Sequence, residues 1–177
     1  MALNKRVILL RGVTPTGQNR IPKMAYLAEI LAEVGFQKVQ TYIQSGNVVL
    51  ETDLSDAEIQ QLVHDTILEK IGADLSVIVK SPDQLDTAAQ ENPFGAGYDS
   101  SRIHLAFTND AISSSKIAEL LEQDFGDEEF YVGSQCLYMY LPREAKKKKL
   151  NTNFLEKKLG VVATTRKLSV VARLSEM

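Results

Sequence analysis

The stretch Val39-Gln40-Thr41-Tyr42-Ile43-Gln44-Ser45-Gly46-Asn47-Val48-Val49-Leu50 decides the fold class. Val39, Thr41 and Ile43 alternate with polar neighbours, the period of a strand with one buried face. Ser45-Gly46-Asn47 then interrupts, and Val48 to Leu50 is a second β-type run. Tight hairpin turns need residues that tolerate positive φ, and a Gly-Asn pair between two such runs reads as a hairpin. Upstream, Lys5 to Leu10 reads as a strand, and its four consecutive apolar residues from Val7 imply burial on both faces. Gly12 to Arg20 has the Gly, Thr, Pro and Asn content of a loop. Pro22 suits a first helical turn. Met24, Leu27, Ile30, Leu31 and Val34 then recur at helical spacing until Gly35. Downstream, Ser55 with Glu58 three residues on is a capping box, opening a helix striped by Ile59, Leu62, Val63 and Ile67. Leu75 to Val79 closes the series as a strand. The order is βαββαβ, the ferredoxin-like motif.

A short helix from Ser81-Pro82-Asp83 to Asn92-Pro93-Phe94 follows, and the Gly95 to Ser101 segment is the linker. The order then begins again. Ile103, Leu105 and Phe107 share a strand face, and Ile112 to Leu121 is helical. Two strands, Glu129 to Val132 and Cys136 to Leu141, flank Gly133-Ser134. Asn151 to Leu159 is a helix stopped by Gly160, and Thr164 or Thr165 is expected to cap a final helix. The expected architecture is α+β, with two ferredoxin-like (βαββαβ) subdomains packed together. Residues 1–94 form the first, and residues 95–177 form the second with an extra C-terminal helix.

The 177 residues carry 44% apolar and 24% charged side chains, the balance of a globular chain rather than a disordered one. One Cys excludes a disulfide framework, and with two His it cannot complete a four-ligand zinc site, so no metal is expected. No apolar run approaches the roughly 18 residues of a membrane span, and no secretory signal is apparent. A soluble cytoplasmic protein is the expectation. Charge is uneven: Asp99 to Glu129 carries net −6 and Arg143 onward net +7, including the run Lys146 to Lys149. Such blocks face one another within the fold, stay solvated, or meet a polyanion or an acidic partner.

Gly12 and Gly17 have the Gly-x₄-Gly spacing of a phosphate-binding loop, but Gln18-Asn19 stands where that motif needs Lys and Ser or Thr. A weaker anion site survives this loss, because the loop leads into a helix N-terminus flanked by Arg11, Arg20 and Lys23. Gln44, Ser45 and Asn47 place three polar side chains at the hairpin tip, without the Gly-x-Ser-x-Gly setting of a nucleophile. His64 and His104 read as structural, and Cys136 as buried filler. Tyr138 and Tyr140 share a strand face, but the strands that would carry base-stacking aromatics in an RNA-recognition motif lack them.

Several of these segments, in this order, resemble the domain of unknown function 1697 family. They are Leu9-Leu10-Arg11-Gly12-Val13, Gly17-Gln18-Asn19-Arg20-Ile21-Pro22-Lys23-Met24, Gly35-Phe36 and Thr41-Tyr42-Ile43-Gln44-Ser45-Gly46-Asn47-Val48-Val49. Asn92-Pro93-Phe94, Leu137-Tyr138, Leu159-Gly160-Val161 and Ala163-Thr164-Thr165-Arg166 extend the likeness over most of the chain. The resemblance implies a mostly bacterial α+β protein of two ferredoxin-like subdomains and brings no activity with it.

The leading expectation is a protein that binds a small anionic or phosphorylated ligand, with enzymatic activity, cofactor and substrate unspecified. Its site would comprise Arg11, Gly12, Gly17, Asn19, Lys23, Gln44, Ser45, Asn47 and Arg166. Arg11 and Lys23 would hold charge, the glycines would admit the ligand to the backbone, and Asn19, Ser45 and Asn47 would supply directional hydrogen bonds. One alternative is nucleic-acid binding through Lys146–Lys149, Lys157, Lys158 and the tyrosine face. Another is a protein-interaction module, with the chain a monomer or homodimer.

Overall fold

The computed structural model describes residues 3–44 and 46–177. They form two compact units, the first ending at Pro82 and the second spanning Asp83–Glu176. The sequence places the boundary at 94/95. The units divide after the first residue of the intervening helix, α3 (Pro82–Gln90), whose residues bond to the second sheet. The Tyr138 hydroxyl donates to the Ala88 carbonyl, and the Ser134 hydroxyl donates to Glu91 just past the helix at 2.6 Å.

The first unit contains β1 (Asn4–Arg11), α1 (Met24–Glu33), β2 (Gln37–Tyr42), β3 (Asn47–Thr52), α2 (Asp56–Lys70) and β4 (Ser76–Lys80). Its sheet order is β2-β3-β1-β4, antiparallel throughout. Strand alternation explains the core. Ile8 and Leu10, with Val48, Leu50, Val77 and Val79, meet Leu27, Ile30 and Leu31 of α1 and Ile59, Val63 and Ile67 of α2. Val7, Leu9, Val49 and Ile78 alternate onto the opposite face and are equally buried, as the apolar run from Val7 implies. The capping box at Ser55 forms with both of its hydrogen bonds. Two details depart from expectation. Ile43 lies outside β2, exposed and at φ +50°, a conformation that β-branched side chains rarely adopt. Lys38, at φ +48°, sits where the register of β2 slips against β3, a bulge that puts a lysine on an edge strand.

The second unit repeats the order with β5 (Ile103–Thr108), α4 (Ser114–Leu121), β6 (Glu129–Val132), β7 (Leu137–Tyr140), α5 (Thr152–Leu159) and β8 (Ala163–Lys167), followed by α6 (Leu168–Glu176). The sheet runs β6-β7-β5-β8, the same arrangement as the first. The ferredoxin-like topology therefore occurs twice. One expectation is corrected: Thr164 and Thr165 cap no helix but lie within β8, paired with Phe107 and Ala106. Here the buried strand positions include Ala163, Thr164 and Arg166, so the apolar alternation that marks other strands is missing. β-branched Thr fits a pleated strand well.

Candidate functional site

The expected anion-binding residues of the first unit gather at one end of its sheet, where β1 leaves it. Leu9 pairs with Asn47 across β1 and β3, and the Leu10 amide donates to the Gly46 carbonyl at 3.0 Å. The N-terminal loop and the hairpin tip are thus adjacent. Gly46 adopts φ +82°, and a Cβ there would stand 3.0 Å from both Leu10 Cβ and Val13 Cγ2, so glycine is required for this approach. Gln44 Nε2 donates to the Ile21 carbonyl at 3.0 Å, tying the tip to the segment that opens α1.

The Gly12–Lys23 loop closes on itself and on the turn after α2. The Thr14 amide donates to the Asn19 carbonyl, and the Arg20 amide to the Gly17 carbonyl. Asn19 Oδ1 accepts the Asp74 amide at 3.2 Å, and Gln18 Nε2 donates to the Gly72 carbonyl at 3.3 Å. Asn47 is fully buried, and its Nδ2 donates to the Tyr42 carbonyl at 3.1 Å. Asn19, Gln44 and Asn47 therefore hold the framework, where the sequence suggested ligand contacts. Amide side chains near backbone groups that a long loop leaves unpaired are recruited to satisfy them. Ser45 lies outside the described residues.

The charged groups take different positions. Arg11 is half-buried and paired with Ser76, and strand alternation puts it on the Leu9 and Asn47 face, away from the helices. Lys23 is exposed at the N-cap of α1, where it offers no side-chain acceptor, and the first turn of that helix holds no acidic residue. Arg20 is exposed on the same loop. No acidic residue occurs before Glu29, whereas Lys5, Arg6, Arg11, Arg20 and Lys23 are all basic. Arg6 is paired with Asp56 at 3.0 Å. The β1–α1 connection has twelve residues; its counterpart between β5 and α4 has five. Helix α1 begins at Met24, seven residues beyond Gly17, unlike a nucleotide-binding loop that runs straight into its helix.

Arg166 belongs to the second unit. It is buried, its Nη1 donates to Thr164 Oγ1 at 2.6 Å and to the Thr165 carbonyl, and burial pulls its pKa down to about 10. The acidic and basic segments touch within this unit through backbone groups and a side-chain amide. Buried Glu128 accepts the Lys149 and Leu150 amides at 2.7 and 2.9 Å. Lys149 Nζ reaches Gln123 and lies over the Phe125 and Phe154 rings, and Lys148 Nζ donates to the Arg143 carbonyl. Tyr138 is buried and Tyr140 packs against Phe94 and Tyr98, so the tyrosine face is occupied by the protein's own rings. Lys146, Lys147, Lys157 and Lys158 are exposed.

His104 is half-buried beside the Arg102 carbonyl, and burial lowers its pKa. His64, read from the sequence as structural, is half-buried and stands between two carboxylates, Asp65 and Asp74. The sequence signal for that pair was slight, since Asp74 is ten residues away beyond the helix end. Among the described residues no three His, Cys, Asp or Glu side chains gather to hold a metal ion. No described helix is long and apolar enough to cross a membrane.

The family described as protein of unknown function (DUF1697) matches residues 3–138. The chain belongs to this family. Its fold is also similar to that of the conserved bacterial protein SP0830 from Streptococcus pneumoniae, with a TM-score of 0.71 and 21% identity over 99% of this chain and 98% of that one. No curated protein matches the chain. At this identity the likeness speaks for the two-unit fold of this DUF1697 member and for nothing about its chemistry.

Proposed function

We propose that this DUF1697 protein binds a small anionic or phosphorylated ligand at the Arg11–Asn19 loop and the Gln44–Asn47 hairpin tip. The observation that carries the reading is the β1–α1 connection: twelve residues long, free of acidic side chains, flanked by Arg11, Arg20 and Lys23, and delivered to a helix with no side-chain cap. Connections of this length in compact domains are uncommon and often functional. An uncapped helix start leaves N–H groups and a partial positive charge for an anion. Gly12 and Gly17 keep the backbone approachable, while Asn19, Gln44 and Asn47 hold loop and tip in place.

One helix terminus and two charge-assisted hydrogen bonds supply at most about 7 kcal/mol, an affinity no tighter than about 10 µM. A phosphate group alone binds weakly, and a ligand with an additional base or acyl part gains the rest. The test is a thermal-shift titration with inorganic phosphate and a panel of nucleotides and sugar phosphates. A ligand at 100 times its Kd stabilises the native state by about 2.7 kcal/mol. Arg11→Ala and Lys23→Ala, if folded, are expected to lose that shift. An equal shift in parent and variants, or none with any phosphorylated compound, removes this site.

A further inference from the structure

The observations carry furthest at His64, which lies outside the ligand reading. Its Nδ1 stands 3.1 Å from Asp65 Oδ1, and its Nε2 stands 2.8 Å from Asp74 Oδ1. An ionised carboxylate only accepts hydrogen bonds, so both ring nitrogens must carry protons. That form is the imidazolium. In neutral imidazole one nitrogen turns a lone pair toward a carboxylate oxygen, and one of the two contacts fails.

The neighbours decide which. Asp65 is also held by Gln61 Nε2, which reaches both of its oxygens at 2.9 Å. The Asp74 side chain is 75% exposed, so water can take the place of the ring as its partner. Asp74 is also where the Gly12–Lys23 loop is fastened, since its amide donates to Asn19 Oδ1 and Gly72 nearby accepts Gln18.

We propose that His64 is a pH-operated latch: protonated, it holds Asp74 and with it the Gln18–Asn19 side of the loop, and on deprotonation it lets that side loosen. The charged groups acting on the ring are Asp65 from α2 and Asp74 from the turn leading to β4. Neither α1, packed on α2, nor β4 adds a charged group that moves it. The hydrogen bonds to Asp65 and then Asp74 raise the His64 pKa above its ordinary 6.5, against a smaller opposing effect of burial. A raised folded pKa means that the stabilisation is fully present below about pH 6.5 and is lost as the pH rises through the folded value.

With two histidines in the chain, an NMR titration of the imidazole signals resolves the question. His64 is expected to titrate above His104, and the Asn19 and Asp74 amides are expected to move with the His64 midpoint. Hydrogen-exchange protection of the Asp74 amide, corrected for intrinsic rate, should fall about two- to fivefold across that midpoint, the scale of one exposed ion pair. Asp74→Asn should lower the His64 midpoint, and His64→Gln should leave the loop amides without a titration in this range. High salt should draw the midpoint toward 6.5. Loop amides that ignore the His64 midpoint, or an unchanged midpoint in Asp74→Asn, overturn the proposal. No ligand enters the experiment, so its outcome is independent of the anion-binding reading.

Discussion

The two units share one strand order and differ in how they meet its demands. In both, the helix after the hairpin has a side-chain cap, Ser55 on α2 and Asn151 on α5, while the helix after the first strand has none. The first core is built largely from Ile, Leu and Val. The second relies on rings, with Phe125 packed edge-on against Phe130 and Phe154, and on a buried carboxylate, Glu128. The hairpin connections have equal length, four residues each, so the contrast is concentrated in the first β–α connection, twelve residues against five. A topology repeats when alternation and turns repeat, whatever fills the core. Function has room where one copy carries more chain than the topology needs.

The contrast breaks most visibly at Glu128. Glu128→Ala leaves two backbone donors without their acceptor, and urea unfolding should show a loss of about 2–6 kcal/mol, at about 1–3 for each donor. Glu128→Gln keeps an acceptor oxygen and should recover most of it. If Glu128→Ala is mild, the second unit does not depend on its buried polar tie and the two cores are closer in kind than their composition suggests.

Two glycines sharpen the comparison within the first unit. Gly46→Ala meets both a left-handed backbone and the Leu10 and Val13 side chains, for a combined cost of about 2–4 kcal/mol. Gly17→Ala meets the same backbone cost but open space, so about 1–2 kcal/mol is expected. Equal losses in thermal melts would mean that the hairpin tip does not press on the loop.

The smallest effects test the caps. Ser55→Ala and Asn151→Ala should each cost about 0.5–2 kcal/mol. Lys23→Ala and Ser113→Ala, at N-caps without a side-chain bond, should lie within about 0.5 kcal/mol of the parent. A large loss at Lys23 would give that residue a structural duty and weaken its assignment to ligand.

Much of this was legible from residue order. The run from Val7 to Leu10 announced a strand buried on both faces, Ser55 with Glu58 announced a capped helix, and Gly160 a left-handed stop, here at φ +67°. β8 was not legible, because a five-residue strand whose buried positions include Thr164 and Arg166 lacks apolar alternation. Nor was the duty of Asn19, Gln44 and Asn47. Their polarity at loop tips suits a ligand and a neighbouring carbonyl equally well, and which one they meet depends on residues far along the chain.

Sequence alone determined the first βαββαβ, and of the second every element but its last strand, because periodicity, capping and turn chemistry act over a few neighbouring residues. Tertiary structure alone decided that Gln44 reaches Ile21, that Asp74 answers both Asn19 and His64, and that Arg166 is buried. A hydrogen bond requires two atoms within about 3.5 Å, and for residues this far apart in sequence only the folded chain sets that distance.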